Sequence, residues 1–460
     1  YMSLHMSVYR YREKALMLDD NVPRPWQGQT TLVFALAAVA VGLGNFFRLP
    51  YLMGEHGGAP FFIAYMLTVA SVSAPLLAAE VMLGSSGRGS PVGALRWAAD
   101  QSGRSSYWSW LGGLQSGVAL LLAAKLLILA LWAMDRAQLI NTGGLASASG
   151  VDVAESFVEL AADHNRFIMF ALWLMPLAAL LVALGPAYAM GLIAWLGLPA
   201  MAVSCVGLMG YALDYGNLQE AGEFLFARNY DQFDLESAMA GVISGMYTLG
   251  AGLGIGLCFG GRAPTNLPLL RAVAAAAVID SAFVLAIAIA VVPLLFETNI
   301  APSEGVAFVF VSIPYAYANL PSGDIYGTIF FGLLASAMVF AMVALMEPAV
   351  MVMRKEWRWN RGAAAIAVSS FVFGLALIMR DMNAPWGGVV SELIDIGVPI
   401  SLLALALFVG WRMPRPIVRG EFFREPRWLF LLWWELVRIV TPATVLAAMA
   451  WLLFFQSVET

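Results

Sequence analysis

The sequence predicts an all-α membrane protein with about 11 transmembrane helices, and three observations lead there. The first is composition: 61% of the 460 residues are hydrophobic and 12% are charged, against roughly 25% charged residues in a soluble globular domain. A chain solvated by lipid needs charge only in its loops and at an internal polar site. The second is a series of apolar runs of the length, about 20 residues, that crosses the hydrocarbon. The third is the charge between the runs, which alternates in sign.

In chain order the runs are 32–53, 60–83, 110–134, 167–185, 188–213, 238–260, 272–296, 325–353, 362–380, 392–411 and 428–455. With the amino terminus inside, the inner loops carry Arg88, Arg96 and Arg104; Arg262 and Arg271; Arg354, Lys355, Arg358 and Arg361; and Arg412, Arg415, Arg419, Arg424 and Arg427. The outer loops carry Asp152, Glu155, Glu159 and Asp163; Glu220, Glu223, Asp231, Asp234 and Glu236; and Glu297, Glu304 and Asp324. Inner loops are expected to be basic, and a wrong span count would scramble this alternation. The expectation is a multi-pass protein of an inner or plasma membrane, with a cytoplasmic amino terminus and an extracytoplasmic carboxyl terminus. Arg10, Arg12 and Lys14 precede a polar stretch without the short apolar core of a signal peptide. The outer loops 135–166 and 214–237 are long enough for short helices that cap an entrance.

Several function classes drop out. No run of Lys and Arg interleaves with aromatics, so nucleic acid is not an expected partner. Cys205 and Cys258 lie in apolar runs and read as small buried hydrophobes. His5, His56 and His164 sit near ends or loops, and no catalytic cluster lies inside the membrane, so an enzyme is not expected.

Two runs depart from ordinary apolar helices. The first contains VAVGLGNFFRLP, with Gly42, Gly44, Asn45, Arg48 and Pro50; the sixth contains YTLGAGLGIG, with Gly250, Gly252, Gly254 and Gly256. Each glycine costs a helix interior about 1 kcal/mol relative to alanine. Glycine clusters also serve close helix packing, but Asn45 and Arg48 favour a break in the first run. Interrupted helices in corresponding halves point to the binding site of an inverted-repeat transporter.

The stretch VGLGNFFRLPYLMGEHGGAPFFIAYML resembles the first-helix signature of the neurotransmitter:sodium symporters, in their bacterial branch. PLLAAEVMLG, NLQEAGEFLFARNYDQF, YTLGAGLG, EPAV and LFVGW extend the likeness along nearly the whole chain, in order. The resemblance implies a 5+5 inverted-repeat fold with broken helices 1 and 6 and alternating access. It divides the chain into a cytoplasmic segment (1–31), a first repeat (32–213), an extracytoplasmic loop (214–237), a second repeat (238–411), and a cytoplasmic loop with the last helix (412–460). It also implies a cation, sodium in the family, coupled to an amino acid or related amine, with the lipid bilayer as surroundings and an oligomeric state that the sequence leaves open.

The residues give this reading its chemistry. Unwound backbone at Gly42, Leu43 and Gly44 would offer N–H groups to a carboxylate. Carbonyls and side chains at Ala40, Asn45 and Thr248 would offer oxygens to a hard cation. By resemblance Asp280, in the motif VID, completes that first sodium site. Val39, Tyr247, Gly250, Leu253, Ala341 and Leu345 would surround the solute side chain. Glu80, inside the second run, would brace the unwound sixth helix. Arg48 resembles an outer-gate arginine with Asp395 or Glu392 as partner, although a snorkelling arginine is the other reading.

Three departures from the family's pattern matter. A second sodium site would use the carbonyls of Ala38, Val41 and Ala337, but the positions of its two hydroxyl ligands hold Phe340 and Ala341, unless the register slips to Ser336. In LLLAAKLLILALW, Ala124 stands where the family has a solute-binding tyrosine, and its neighbour Lys125 is a charge deep in an apolar run, expected to pair with Asp280 directly or through the solute. At the inner gate Trp26 is in place, but the usual ion pair reads Pro23 and Lys355, so Arg24 with Glu356 is the expected replacement. The departures leave open a sodium-independent or proton-coupled transporter, or a receptor or accessory protein that has lost transport.

Overall fold

The computed structural model describes residues 26, 28–43, 45–227, 233–264, 267–300, 305–380 and 385–454, at 45–48 and 385–386 by backbone alone. Among them, nine helices are long and apolar enough to cross a membrane: Ala59–Gly87, Ser106–Asn141, His164–Leu184, Pro186–Tyr215, Leu269–Glu297, Gly323–Glu356, Arg361–Met379, Gly387–Arg412 and Arg427–Phe454. Two more spans are interrupted: Gln29–Gly42 continues as Asn45–Glu55, and Leu235–Tyr247 resumes as Ile255–Gly260. In chain order these make 11 spans, of which the first and sixth are broken. The outer connections hold short helices at Gly150–Ala162 and Leu218–Phe226. The first begins with a reciprocal cap in which Ser149 and Asp152 satisfy each other's backbone N–H.

The breaks have local causes. Span 1 stops where the N–H of Leu43 turns back on the carbonyl of Ala40, 3.0 Å away, a tightened last turn. Span 6 starts on Asp234, whose side chain accepts from the N–H of Ser237, and stops after Tyr247. Gly250, Gly252 and Gly254 then take φ of 67°, 80° and 72°. An L-residue held left-handed costs about 1–2 kcal/mol, so glycine at these three places keeps the helix unwound.

Burial orders the bundle. Span 8 is 78% buried and span 11 only 28%, which places the former at the centre and the latter at the rim. Span 8 lies along span 3 and touches the first half of span 1. Small residues let backbones meet: any side chain at Gly42 would collide with the Ala337 carbonyl, and any at Gly84 with Leu257. In span 2 a π-helical turn, Val69–Ser73, precedes Pro75. Proline has no N–H for the carbonyl of Ser71, and Thr441 of span 11 donates to that carbonyl instead, at 3.3 Å, while Trp433 donates to that of Pro75.

Candidate functional site

The centre of the site is the unwound stretch of span 6. Its freed N–H groups need acceptors, since lipid offers none. Glu80, fully buried on span 2, supplies them: Gly252 and Gly254 donate to Oε1 at 3.0 and 3.3 Å, and Gly256 donates to Oε2 at 3.1 Å. Gln115 of span 3 donates a fourth bond to Oε1 at 3.0 Å. A carboxylate at membrane depth is expensive alone; here four donors face it. On the other side Ser401 of span 10 donates to the Gly252 carbonyl at 2.6 Å, and Ser73 donates to the Gly245 and Met246 carbonyls where the first half of span 6 ends.

The two breaks face each other. A Cβ on Gly250 would stand 2.7 Å from Leu43 Cδ1, and one on Gly42 would stand 2.7 Å from the Ala341 methyl. The structure thus brings together Gly42, Leu43, Gly250 and Ala341. Leu253 lies 3.8 Å from a Cβ built on Gly250, and Val39, Ala40, Ala124, Thr248 and Leu345 are all buried. Tyr247 is partly exposed, and its hydroxyl donates to the Asp395 carbonyl of span 10 at 3.1 Å. The N–H of Leu43, expected to be free for a carboxylate, is taken by Ala40, because the last turn of the first half-helix tightens. Gly44 lies outside the described residues, as do the side chains of Asn45 and of Arg48, the expected outer-gate arginine; its expected partners Asp395 and Glu392 are exposed.

Asp280 is fully buried and accepts from the Thr248 hydroxyl at 2.9 Å. Thr248 has one proton and gives it to Asp280, so in its 2.9 Å contact with Tyr65 the tyrosine is the donor. Tyr65, on span 2, is a residue the sequence reading missed. No ion pair joins Asp280 to Lys125. Successive helical residues point about 100° apart: Ala124 faces inward, fully buried, and Lys125 is turned toward a half-exposed face. The direct form of the expected pair is therefore absent. No group of three or more His, Cys, Asp or Glu side chains occurs among the described residues, so a cation held here would rest on Asp280, hydroxyls and backbone carbonyls.

The second-site carbonyl donors Ala38, Val41 and Ala337 are buried, and the positions of the two hydroxyl ligands hold Phe340 and Ala341. The Phe340 ring packs against Gly197 of span 5, where a Cβ would come within 2.6 Å of it. The Ser336 hydroxyl donates to the Gly332 carbonyl of its own helix at 2.7 Å.

At the basic end, Trp26 donates from Nε1 to the Phe259 carbonyl at 2.9 Å and from its N–H to that of Arg262, pinning the start of span 1 to the end of span 6. Pro23 and Arg24 lie outside the described residues. Glu356, the expected partner of Arg24, is held by Arg96 at 3.1 Å and by Ser90 at 2.8 Å. The buried pair at this end joins Glu347 of span 8 to Arg361 of span 9. Arg361 also donates from Nε and Nη2 to the Val182 carbonyl of span 4, at 3.0 and 2.7 Å, fitting against Gly185, which has φ 90°.

With this geometry in place, comparison with known proteins is informative. Residues 24–102 match the model of the Sodium:neurotransmitter symporter family. An uncharacterized sodium-dependent transporter of Bacillus subtilis, YhdH, is 22% identical over 444 residues, 93% of this chain and 97% of that protein. The sodium- and chloride-dependent glycine transporter 2 of Xenopus laevis is 31% identical over 111 residues, 24% of this chain and 12% of its own length. Among solved structures, MhsT in complex with L-phenylalanine superimposes with a TM-score of 0.83 at 24% identity, covering 93% of this chain and 99% of that one. These similarities bear out the symporter resemblance read from the motifs, and the fold is shared. The family is one of sodium-coupled transporters, not enzymes.

Proposed function

We propose that this chain, a divergent neurotransmitter:sodium symporter, carries a small amino acid or related amine across the membrane together with a cation, by alternating access to a site between its two broken spans. The observation that carries the reading is the apposition of Leu43 and Gly250, with the span 6 break braced by Glu80. A helix unwound at membrane depth persists only where protein or a cavity satisfies its backbone, and paired half-helices suit a site that occludes a solute better than a conducting pore. The apolar lining of Val39, Leu253, Ala341 and Leu345 fits an aliphatic or aromatic side chain, as does the L-phenylalanine bound by the structural neighbour MhsT. Ala40, Asn45, Thr248 and Asp280 are the proposed cation ligands. Uptake of an amino-acid panel into proteoliposomes, under a sodium gradient and with choline in its place, tests the reading. A chain that accumulates no solute under either condition would be a receptor or accessory protein instead.

Some relatives are named as chloride-dependent. Here Asp280, itself one of the proposed cation ligands, brings a carboxylate to the site, with Thr248 donating to it. Uptake is therefore expected to be indifferent to replacing chloride by gluconate in the parent protein, and an Asp280→Asn variant to lose most of its activity. A strict chloride requirement in the parent would refute this role for Asp280.

A further inference from the structure

The loop between spans 10 and 11 and the adjoining helix ends carry more positive charge than the protein neutralises. Arg104 donates from Nε to the Arg412 carbonyl at 3.4 Å, which draws the connection after span 2 to the end of span 10. Trp411, 58% exposed, donates from Nε1 to the Arg438 carbonyl at 2.9 Å, and the Arg438 guanidinium lies 4.9 Å from the centre of its ring. The Arg415 guanidinium lies 5.9 Å from the ring of Trp434, one turn before Arg438 on span 11. Arg104, Arg412, Arg415 and Arg438 form no ion pair among the described residues. The nearby acid Glu425 is taken by Arg271 and the N–H of Leu270, and Glu435, one turn from Arg438, does not pair with it.

Topology accounts for arginines in the loop, but not for Arg438, which lies well within span 11. At 1.5 Å per residue a helix of this length reaches about 40 Å, beyond a hydrocarbon layer of about 30 Å. Trp411, in the last turn of span 10, donates to the Arg438 carbonyl, so Arg438 stands level with the end of span 10, below the tryptophan-rich first turns of span 11. A guanidinium there, stacked on an exposed indole and without a carboxylate, needs an anion from the lipid side.

We propose that this groove between the ends of spans 10 and 11 binds the headgroup phosphate of an anionic phospholipid, with Arg412, Arg415 and Arg438 as its cations and Trp411 as its apolar wall. Native mass spectrometry of the protein extracted from vesicles of equal phosphatidylglycerol and phosphatidylcholine should show phosphatidylglycerol retained in excess. The preference should fall by about fivefold for each of Arg412→Gln, Arg415→Gln and Arg438→Gln, and Arg438→Lys should keep most of it. A second readout does not need the glutamine variants to fold: brominated phosphatidylglycerol should quench the parent more than the Trp411→Phe protein, and brominated phosphatidylcholine should quench the two alike. Equal retention of both lipids, or equal quenching by both, would overturn the proposal. So would stabilisation by inorganic phosphate that matches that by phosphatidylglycerol, since the site would then be a simple anion site.

Discussion

Glu80 accepts four hydrogen bonds, three of them from backbone that has no other acceptor. Replacing it by glutamine puts an NH2 group opposite at least one of those donors. A hydrogen bond to a charged group is worth about 1.5–3 kcal/mol and leaving its partner unsatisfied costs more. Glu80→Gln should therefore melt clearly below the parent in the same detergent, and Glu80→Ala lower still; a Gln variant that melts with the parent would remove Glu80 from its bracing role. The bracing was legible in the sequence because an acid in an apolar run must be satisfied. Tyr65 was not, although it lies about four turns before Glu80 on the same span. A tyrosine in an apolar run signals nothing by itself, and only the packing of span 2 against spans 6 and 7 gives its hydroxyl a partner in Thr248. Lys125 went the other way: its charge drew attention, and a rotation of one residue from the buried Ala124 separates it from Asp280.

At the scale of elements, the glycine clusters announced both breaks correctly, because backbone conformation is a local property of sequence. Partner choice is not local: Glu356, expected opposite Arg24, is engaged by Arg96 and Ser90, and a buried pair that the sequence did not announce joins Glu347 to Arg361 at the basic end. This pair fastens spans 4, 8 and 9 together through the Val182 carbonyl. Removing one partner of a buried ion pair costs about 3–5 kcal/mol, and here the loss falls on the closed basic end. Cys258, fully buried beside Glu347, is a native reporter of that opening. In a Cys205→Ala background, Arg361→Ala should raise the rate of Cys258 labelling by a polar thiol reagent by tenfold or more, on the order of the energy removed. Labelling at the parent rate would show that the pair does not hold this end closed.

For the whole molecule, the number of spans was readable because two independent signals, apolar length and loop charge, had to agree, and both helix breaks fell inside runs that still counted as one span. The coupling stoichiometry is a property of the same scale, since every ion taken up must be released at the opposite side. Two cation positions are implied by the family resemblance, and the chain equips them unequally. Around the first stand the Asp280 carboxylate and the Thr248 hydroxyl, joined at 2.9 Å. Around the second, the Phe340 ring is turned against Gly197 and the Ala341 methyl lies against Gly42, so neither hydroxyl position of the family carries a side-chain oxygen. A hard cation leaving water needs oxygen ligands in place of its hydration shell, and the second position offers the carbonyls of Ala38, Val41 and Ala337 without the carboxylate and hydroxyl that the first adds to its own. One sodium per solute is the expected outcome. Initial uptake rates plotted against sodium should then be hyperbolic, with a Hill coefficient of about one, because that coefficient is bounded by the number of coupled sites. The current carried in proteoliposomes should correspond to a single cation per zwitterionic solute. A sigmoidal sodium curve, or two charges per solute, would mean that a second ion finds ligands beyond those three carbonyls; an absence of sodium dependence would transfer the coupling to a proton on Asp280.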